Sequence, residues 1–131
     1  MKRPIIRSVL EQHLAELNPF NTVWEGIIDS PKLPYQTVSM TTSTNETATI
    51  GNTPKAKQSG FLQVTLYYPL DQGTKAIEER ADEIFRHFFG QVWIEENVQI
   101  LVQQPPLVAS LYRLDNSIAL PVTIYFTAYE L

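Results

Sequence analysis

The chain has no cysteine in 131 residues, which removes disulfide frameworks, thiolate metal sites and thiol nucleophiles together. Histidine occurs only as His13 and His87, and neither the HExxH spacing nor an EF-hand pattern is present. Gly51, Gly60, Gly73 and Gly90 stand alone, so no glycine-rich loop exists to cradle a phosphate. Basic residues are outnumbered 10 to 14 by acidic ones and are scattered, apart from Lys2, Arg3 and Arg7 and the pair Lys55 and Lys57. A general nucleic-acid footprint is therefore missing. No stretch approaches the roughly 20 apolar residues of a membrane span, and Glu11, His13 and Glu16 interrupt the amino-terminal segment before a signal-peptide core can form. The expectation is a soluble chain made inside the cell.

What is present fits a single domain over residues 1–131. Apolar residues make up 44% of the chain and charged ones only 18%. Much of the surface must then be Thr, Ser, Asn and Gln or be covered by partners, a balance that suits an assembly protein.

Residues 5–17 place Ile6, Val9, Leu10, Leu14 and Leu17 at helical spacing, with Pro4 in the first turn and Asn18-Pro19 as the stop. Strands are expected at Thr22–Ile28 and Tyr35–Thr44, separated by the proline-bounded turn at residues 30–34. From Asn45 to Gly60 small polar residues dominate, which predicts a long mobile loop and the best functional candidate in the chain. Phe61–Tyr68 alternates as a strand and Pro69 ends it. Lys75–Phe89 repeats Ile77, Ala81, Ile84, Phe85 and Phe88 at helical spacing, with Thr74 as N-cap and Gly90 as C-terminal cap. Strands are expected at Val98–Gln103, Leu107–Leu114 and Ile118–Tyr129, the last two joined by a tight turn at residues 115–117. Pro121 suggests an edge or a bulge within the last strand. The helices each carry one apolar stripe and the strands mostly one apolar face. The predicted class is α+β: a mixed, mainly antiparallel sheet with two main helices packed on one face.

Candidate chemistry is sparse. Glu83 and His87, four apart on a helix, can touch as a surface pair, and with Trp24, Trp93, Phe85, Phe88 and Phe89 they would form the site of a small α+β enzyme or ligand-binding protein. Aromatics at such spacing are more often core. Glu78, Glu79, Asp82 and Glu83 crowd one helix face and read as a solvated surface. No catalytic residue, cofactor or metal site is assigned.

The stretch from Gln58 to Phe89 resembles the phage tail-terminator-like family, in which a strand after a Ser-Gly pair leads through a Gly-Thr turn into an Ala-Asp-containing helix. The early helix ending near Leu17, the Trp24-Glu25 segment, the proline-rich turn before Tyr35 and the terminal strand from Leu120 to Leu131 extend the resemblance over nearly the whole chain. It implies a structural protein of long non-contractile tails, not an enzyme, that caps the finished tail tube as a six-membered ring, stops its growth and presents a surface to the head. Its implied partners are further copies of itself, the tail tube protein and the head–tail connector, with DNA passing through unbound and no membrane contact; a monomer in solution is compatible with it, since assembly can use the tail as a template. It would reside in the virion tail after synthesis in the bacterial host cytoplasm. On this reading Asn45, Glu46, Ile50, Lys55, Lys57 and Gln58 of the long loop are the partner-binding residues, and Glu78, Glu79, Asp82 and Glu83 line an acidic channel. Another neck or connector protein is the alternative.

Overall fold

A computed structural model describes residues 3–18, 20–47 and 54–131. Helix α1 spans Arg3–Glu16 and helix α2 Lys75–Phe88. Both bury the stripe that their periodicity predicts: Ile6, Leu10 and Leu14 on α1, and Ile77, Ala81, Ile84 and Phe88 on α2. Thr74 precedes α2 as expected, but its side chain makes no capping bond; its carbonyl accepts the Glu78 N–H at 3.0 Å instead. Gly90 follows α2 at φ +82°, a left-handed position that a Cβ disfavours.

The strands are β1 (Thr22–Val23), β2 (Tyr35–Thr47), β3 (Ala56–Pro69), β4 (Val92–Glu95), β5 (Val98–Leu101), β6 (Leu107–Val108), β7 (Tyr112–Arg113) and β8 (Ser117–Glu130). They form one sheet in the order β1-β2-β3-β8-β5-β4, antiparallel except for β1 with β2. Along its second edge β8 pairs in turn with β5, β6 and β7. Val38 and Met40 from β2, Leu62, Val64 and Leu66 from β3, and Leu120, Val122, Ile124 and Phe126 from β8 point to one side. There they close the core with the two helix stripes. This is the expected α+β arrangement.

Four expectations change. The strand predicted at Thr22–Ile28 stops at Val23, because the chain turns at Trp24, whose carbonyl accepts the Ile27 N–H at 3.0 Å, with Gly26 at φ +88°. The loop predicted at residues 45–60 is in large part an antiparallel ladder: Asn45 faces Gln58, Glu46 faces Lys57 and Thr47 faces Ala56. Thr suits strands, but the β2 side of this arm is exposed from Thr44 on and loses the apolar alternation that marks one, and its β3 side is built of small polar residues. Ile50 lies outside the described residues.

The strand predicted at Leu107–Leu114 is two short ones, and the reason lies in Pro121. Its carbonyl accepts the Ala109 N–H at 2.9 Å, so its nitrogen points to the same edge and has no hydrogen to return. The β6 ladder ends there. Pro121 therefore sits neither at a sheet edge nor at a bulge but inside the central strand, opposite Thr65 of β3. Finally, Val92–Glu95 forms a strand that the sequence reading left out. It joins β5 through Glu96 and Asn97, both at positive φ, 47° and 65°, as a two-residue turn of the primed type requires.

Candidate functional site

The face of the sheet away from the helices carries Tyr35, Thr37 and Ser39 from β2, Phe61, Gln63, Thr65 and Tyr67 from β3, and Thr123, Tyr125, Thr127 and Tyr129 from β8. All are half-buried, and neither helix packs on them among the described residues. Tyr35 stacks on Tyr67 with ring centres 4.9 Å apart, and Phe61 meets Tyr125 edge to face at 6.2 Å. Tyr67, Ala119 and Tyr112 are adjacent in register, and Ala119 between the two tyrosines is fully buried. Burial, and then Tyr67, hold the Tyr112 hydroxyl above its usual pKa. Toward β4 and β6 the surface turns apolar, with Val92, Ile94 and Leu107 each more than half exposed.

The arm of β2 and β3 is fastened at its base. The Gln58 amide donates to Asn45 Oδ1 at 2.9 Å, the Ala56 N–H donates to the Glu130 carboxylate at 2.7 Å, and Lys57 lies 5.7 Å from the Tyr129 ring centre. Lys55 Nζ donates to a Leu131 backbone oxygen at 3.2 Å. Asn45, Glu46, Lys55, Lys57 and Gln58 are thus brought together, and the free edge of β2 is managed lower down: Met40 N–H donates to Glu25 at 3.0 Å and Met40 O accepts from Arg3 at 3.2 Å.

The acidic set lies on the outer surface of α2. Three of the four carboxylates have a cation within 4 Å: Glu79 with Lys75 at 3.7 Å, Asp82 with Arg86 at 3.0 Å and Glu83 with Arg80 at 3.6 Å. Glu83 therefore turns to Arg80, and His87 goes elsewhere. His87 stacks on His13 of α1, with ring centres 3.8 Å apart and planes 10° from parallel. Each Nε2 lies 2.6 Å from the carbonyl oxygen of the other histidine; a carbonyl only accepts, so both Nε2 atoms carry the hydrogen. This pairing spans 74 positions, and no local pattern reveals it. The aromatic set does not form a pocket either: Phe88 is in the core, Trp24 and Trp93 pack against it, and Phe89 is exposed.

His13, Glu16 and His87 bring ligand atoms within 4.8 Å of one another. Parallel stacked imidazoles direct their in-plane lone pairs along parallel planes, and both Nε2 are occupied, so the pair as folded does not converge on one ion.

A cleft of about 360 Å³ opens between α1 and the segment after it, lined among others by Leu14, Phe20, Trp24, Gln36 and Arg80. Arg80 is buried with its guanidinium 4.5 Å from the Phe20 ring. It donates weakly to Gln36 Oε1 at 3.5 Å, and its Nε has no hydrogen-bond partner among the described residues. Burial lowers its pKa, opposed by Glu83.

A single curled sheet with two helices inside and a half-polar, aromatic face left open defines, in class, an α+β domain with a large surface to share. The chain belongs to the phage tail terminator family: the family model, described as phage tail terminator protein, matches residues 5–126. It is a structural component of a phage tail. A solved structure of 17% identity superposes with a TM-score of 0.78 over 98% of this chain and 96% of its own, which shows the shared fold alone. No curated protein matches the chain.

Proposed function

We propose that the chain caps the finished tail tube as a ring, stops polymerisation of the tube and offers the surface to which the head joins. The observation that carries this reading is the open sheet face of a family member whose helices already fill the other side. Tyr35, Phe61, Tyr67 and Tyr125 supply rigid contact area, and the threonines between them supply hydrogen bonds, as an interface exposed before assembly requires. The activity asks for no reacting group. It asks for a contact between copies that closes by rotation, one surface matched to the tube end and another matched to the connector.

In this scheme the open face meets the tail tube protein. The arm, with Asn45, Glu46, Lys55, Lys57 and Gln58, reaches toward a neighbouring component, and Glu78, Glu79, Asp82 and Glu83 face the channel through which DNA passes without being bound. The chain is made in the host cytoplasm and stays monomeric until the tube end templates the ring.

The test is negative-stain electron microscopy of lysates from phage with this reading frame deleted. Overlong, headless tails are expected. Normal-length tails beside unattached heads would move the chain to the connector, and intact infectious particles would overturn the proposal.

A further inference from the structure

Arg80 is a buried cation whose hydrogen-bonding capacity the fold leaves unfilled. Its side chain is 5% exposed, yet a guanidinium stays charged and carries five N–H donors. Two groups approach those donors and both stay distant: Gln36 Oε1 at 3.5 Å and the Glu83 carboxylate at 3.6 Å, where a charge-assisted bond closes to about 2.7–2.9 Å. Nε has no hydrogen-bond partner among the described residues, and the Phe20 ring lies 4.5 Å from the guanidinium. Gln36 is committed on its other side, where its amide donates to Thr22 Oγ1 at 3.0 Å. A charge taken out of water without full pairing costs stability, so the fold by itself gains little from Arg80.

Arg80 and Gln36 both line the cleft of about 360 Å³ beside α1, a size within the range of small-molecule sites. Leu14, Leu17, Phe20 and Trp24 supply apolar walls. A ligand that fits this cleft carries an oxygen acceptor for Arg80 and an apolar body for the walls. Two carboxylates limit its charge. Glu83 stands beside Arg80, and Asp29 lines the cleft with its Oδ1 bonded by the Ser30 N–H at 2.8 Å. Both are more exposed than the guanidinium, so water screens them better than it screens Arg80. A dianion such as phosphate would still meet them, whereas a single carboxylate takes up the donors that Glu83 reaches only loosely.

We infer that this cleft binds a small free acid, a monocarboxylate on a compact apolar body, with its oxygens accepting from the Arg80 guanidinium. The inference does not rest on the ring reading above.

The test uses phenylacetate as the probe on nitrogen-labelled full chain, followed by nuclear magnetic resonance. Saturable shifts are expected at the Arg80 Nε–H, the Gln36 side-chain amide and the Trp24 indole N–H, and phenylacetamide, equal in shape but neutral, should leave them in place. No shift with phenylacetate, or equal shifts with the amide, would overturn the inference. Arg80→Met should abolish binding in a chain that still melts cooperatively; binding that survives it would overturn the inference. Glu83→Gln gives a variant outside the core: it removes the competing carboxylate, so affinity for phenylacetate should rise about two- to fivefold, the worth of a part-exposed ion pair, and a fall would overturn the inference. Tighter binding of N-acetyl-glutamate N-methylamide than of phenylacetate would assign the cleft to an acidic side chain of another protein and overturn the free acid.

Discussion

His13 and His87 cap each other's helices: each ring donates its Nε2–H to the backbone carbonyl of the other at 2.6 Å while the two rings stack. Both carbonyls fall in the last turn of a helix, where the chain supplies no regular donor. The Leu17 N–H turns to Leu14 O, and the Gln91 N–H to Phe88 O. One symmetric exchange thus ties α1 to α2 and satisfies a terminal carbonyl of each.

His13→Ala and His87→Ala should each destabilise the fold by about 1–3 kcal/mol, because either change strands a part-buried carbonyl. The double variant should lose less than the sum, since the stacked contact is lost only once. Urea denaturation of the two single variants and the double variant checks this; strictly additive losses would mean that the rings act independently.

The same pair predicts a pH dependence. Burial lowers the His13 pKa below 6.5, and the nearby His87 adds to that, against the His87 carbonyl and Glu16. The folded chain then binds fewer protons than the unfolded chain as pH falls below about 6.5, so stability declines with falling pH from there to the lowered His13 value. Above 6.5 this contribution is fully present. Thermal melts from pH 8 down to pH 5 should show the slope, and His13→Gln should flatten it.

Much of this architecture was legible because burial and periodicity coincide. The alternation in Ile118–Tyr129 and the stripes of both helices were read correctly since each element faces one core. Legibility ended where contacts are polar or distant. The arm at residues 45–47 and 56–60 looks like loop because its residues are small and polar, although its β3 half is paired on both sides, with β2 and with β8. Val92–Glu95 was missed because its outward residues Val92 and Ile94 are exposed and two glutamates follow. Glu83 and His87 are neighbours on α2, yet each finds its partner elsewhere, Arg80 and His13. The acidic cluster was visible as residues but not as ion pairs, and the open tyrosine face required the register of three strands.

Gly60 leaves no room for a side chain. A Cβ there would lie 2.9 Å from Phe126 Cζ and 3.0 Å from Thr42 Cα, and closer still to the carbonyl oxygen of Thr41. Backbone cannot yield as a side-chain tip can, so Gly60→Ala should cost about 1–3 kcal/mol or more. The β2–β3 register also shifts between Thr42 and Thr44, so the strain should concentrate in the arm. Hydrogen exchange should show lost protection at Thr41–Thr47 before the rest of β3; unchanged protection would place the cost elsewhere.

Arg80 and Gln36 are both buried and depend on one another through a single long bond. Gln36→Leu alone should destabilise by about 1–3 kcal/mol, since it removes the Arg80 acceptor and leaves Thr22 Oγ1 without the amide donor at 3.0 Å. Replacing both, as Gln36→Leu with Arg80→Met, removes the incompletely paired cation together with its acceptor. Well-packed apolar substitutes for buried charge are often neutral or stabilising, so the double variant should recover most of the loss. Urea midpoints decide it: a double variant weaker than either single one would show that Arg80 stabilises the fold through Phe20 and Glu83.

The α2 surface gives the prediction that bears on DNA. Lys75, Arg80 and Arg86 stand against Glu78, Glu79, Asp82 and Glu83, leaving the helix at three minus four, or −1 with histidine neutral. The Lys75–Glu79 and Arg86–Asp82 pairs are well exposed, so removing them should change stability little. Changing all four acidic residues to Gln turns the helix to +3. If α2 faces the channel, that change should attract the duplex and slow DNA ejection, and added salt should reverse the effect within a Debye length of about 10 Å at 0.1 M. Ejection rates from particles carrying the variant, measured at two salt concentrations, provide the check. Unchanged rates would assign these carboxylates to a solvated outer surface and turn another face of the molecule toward the DNA.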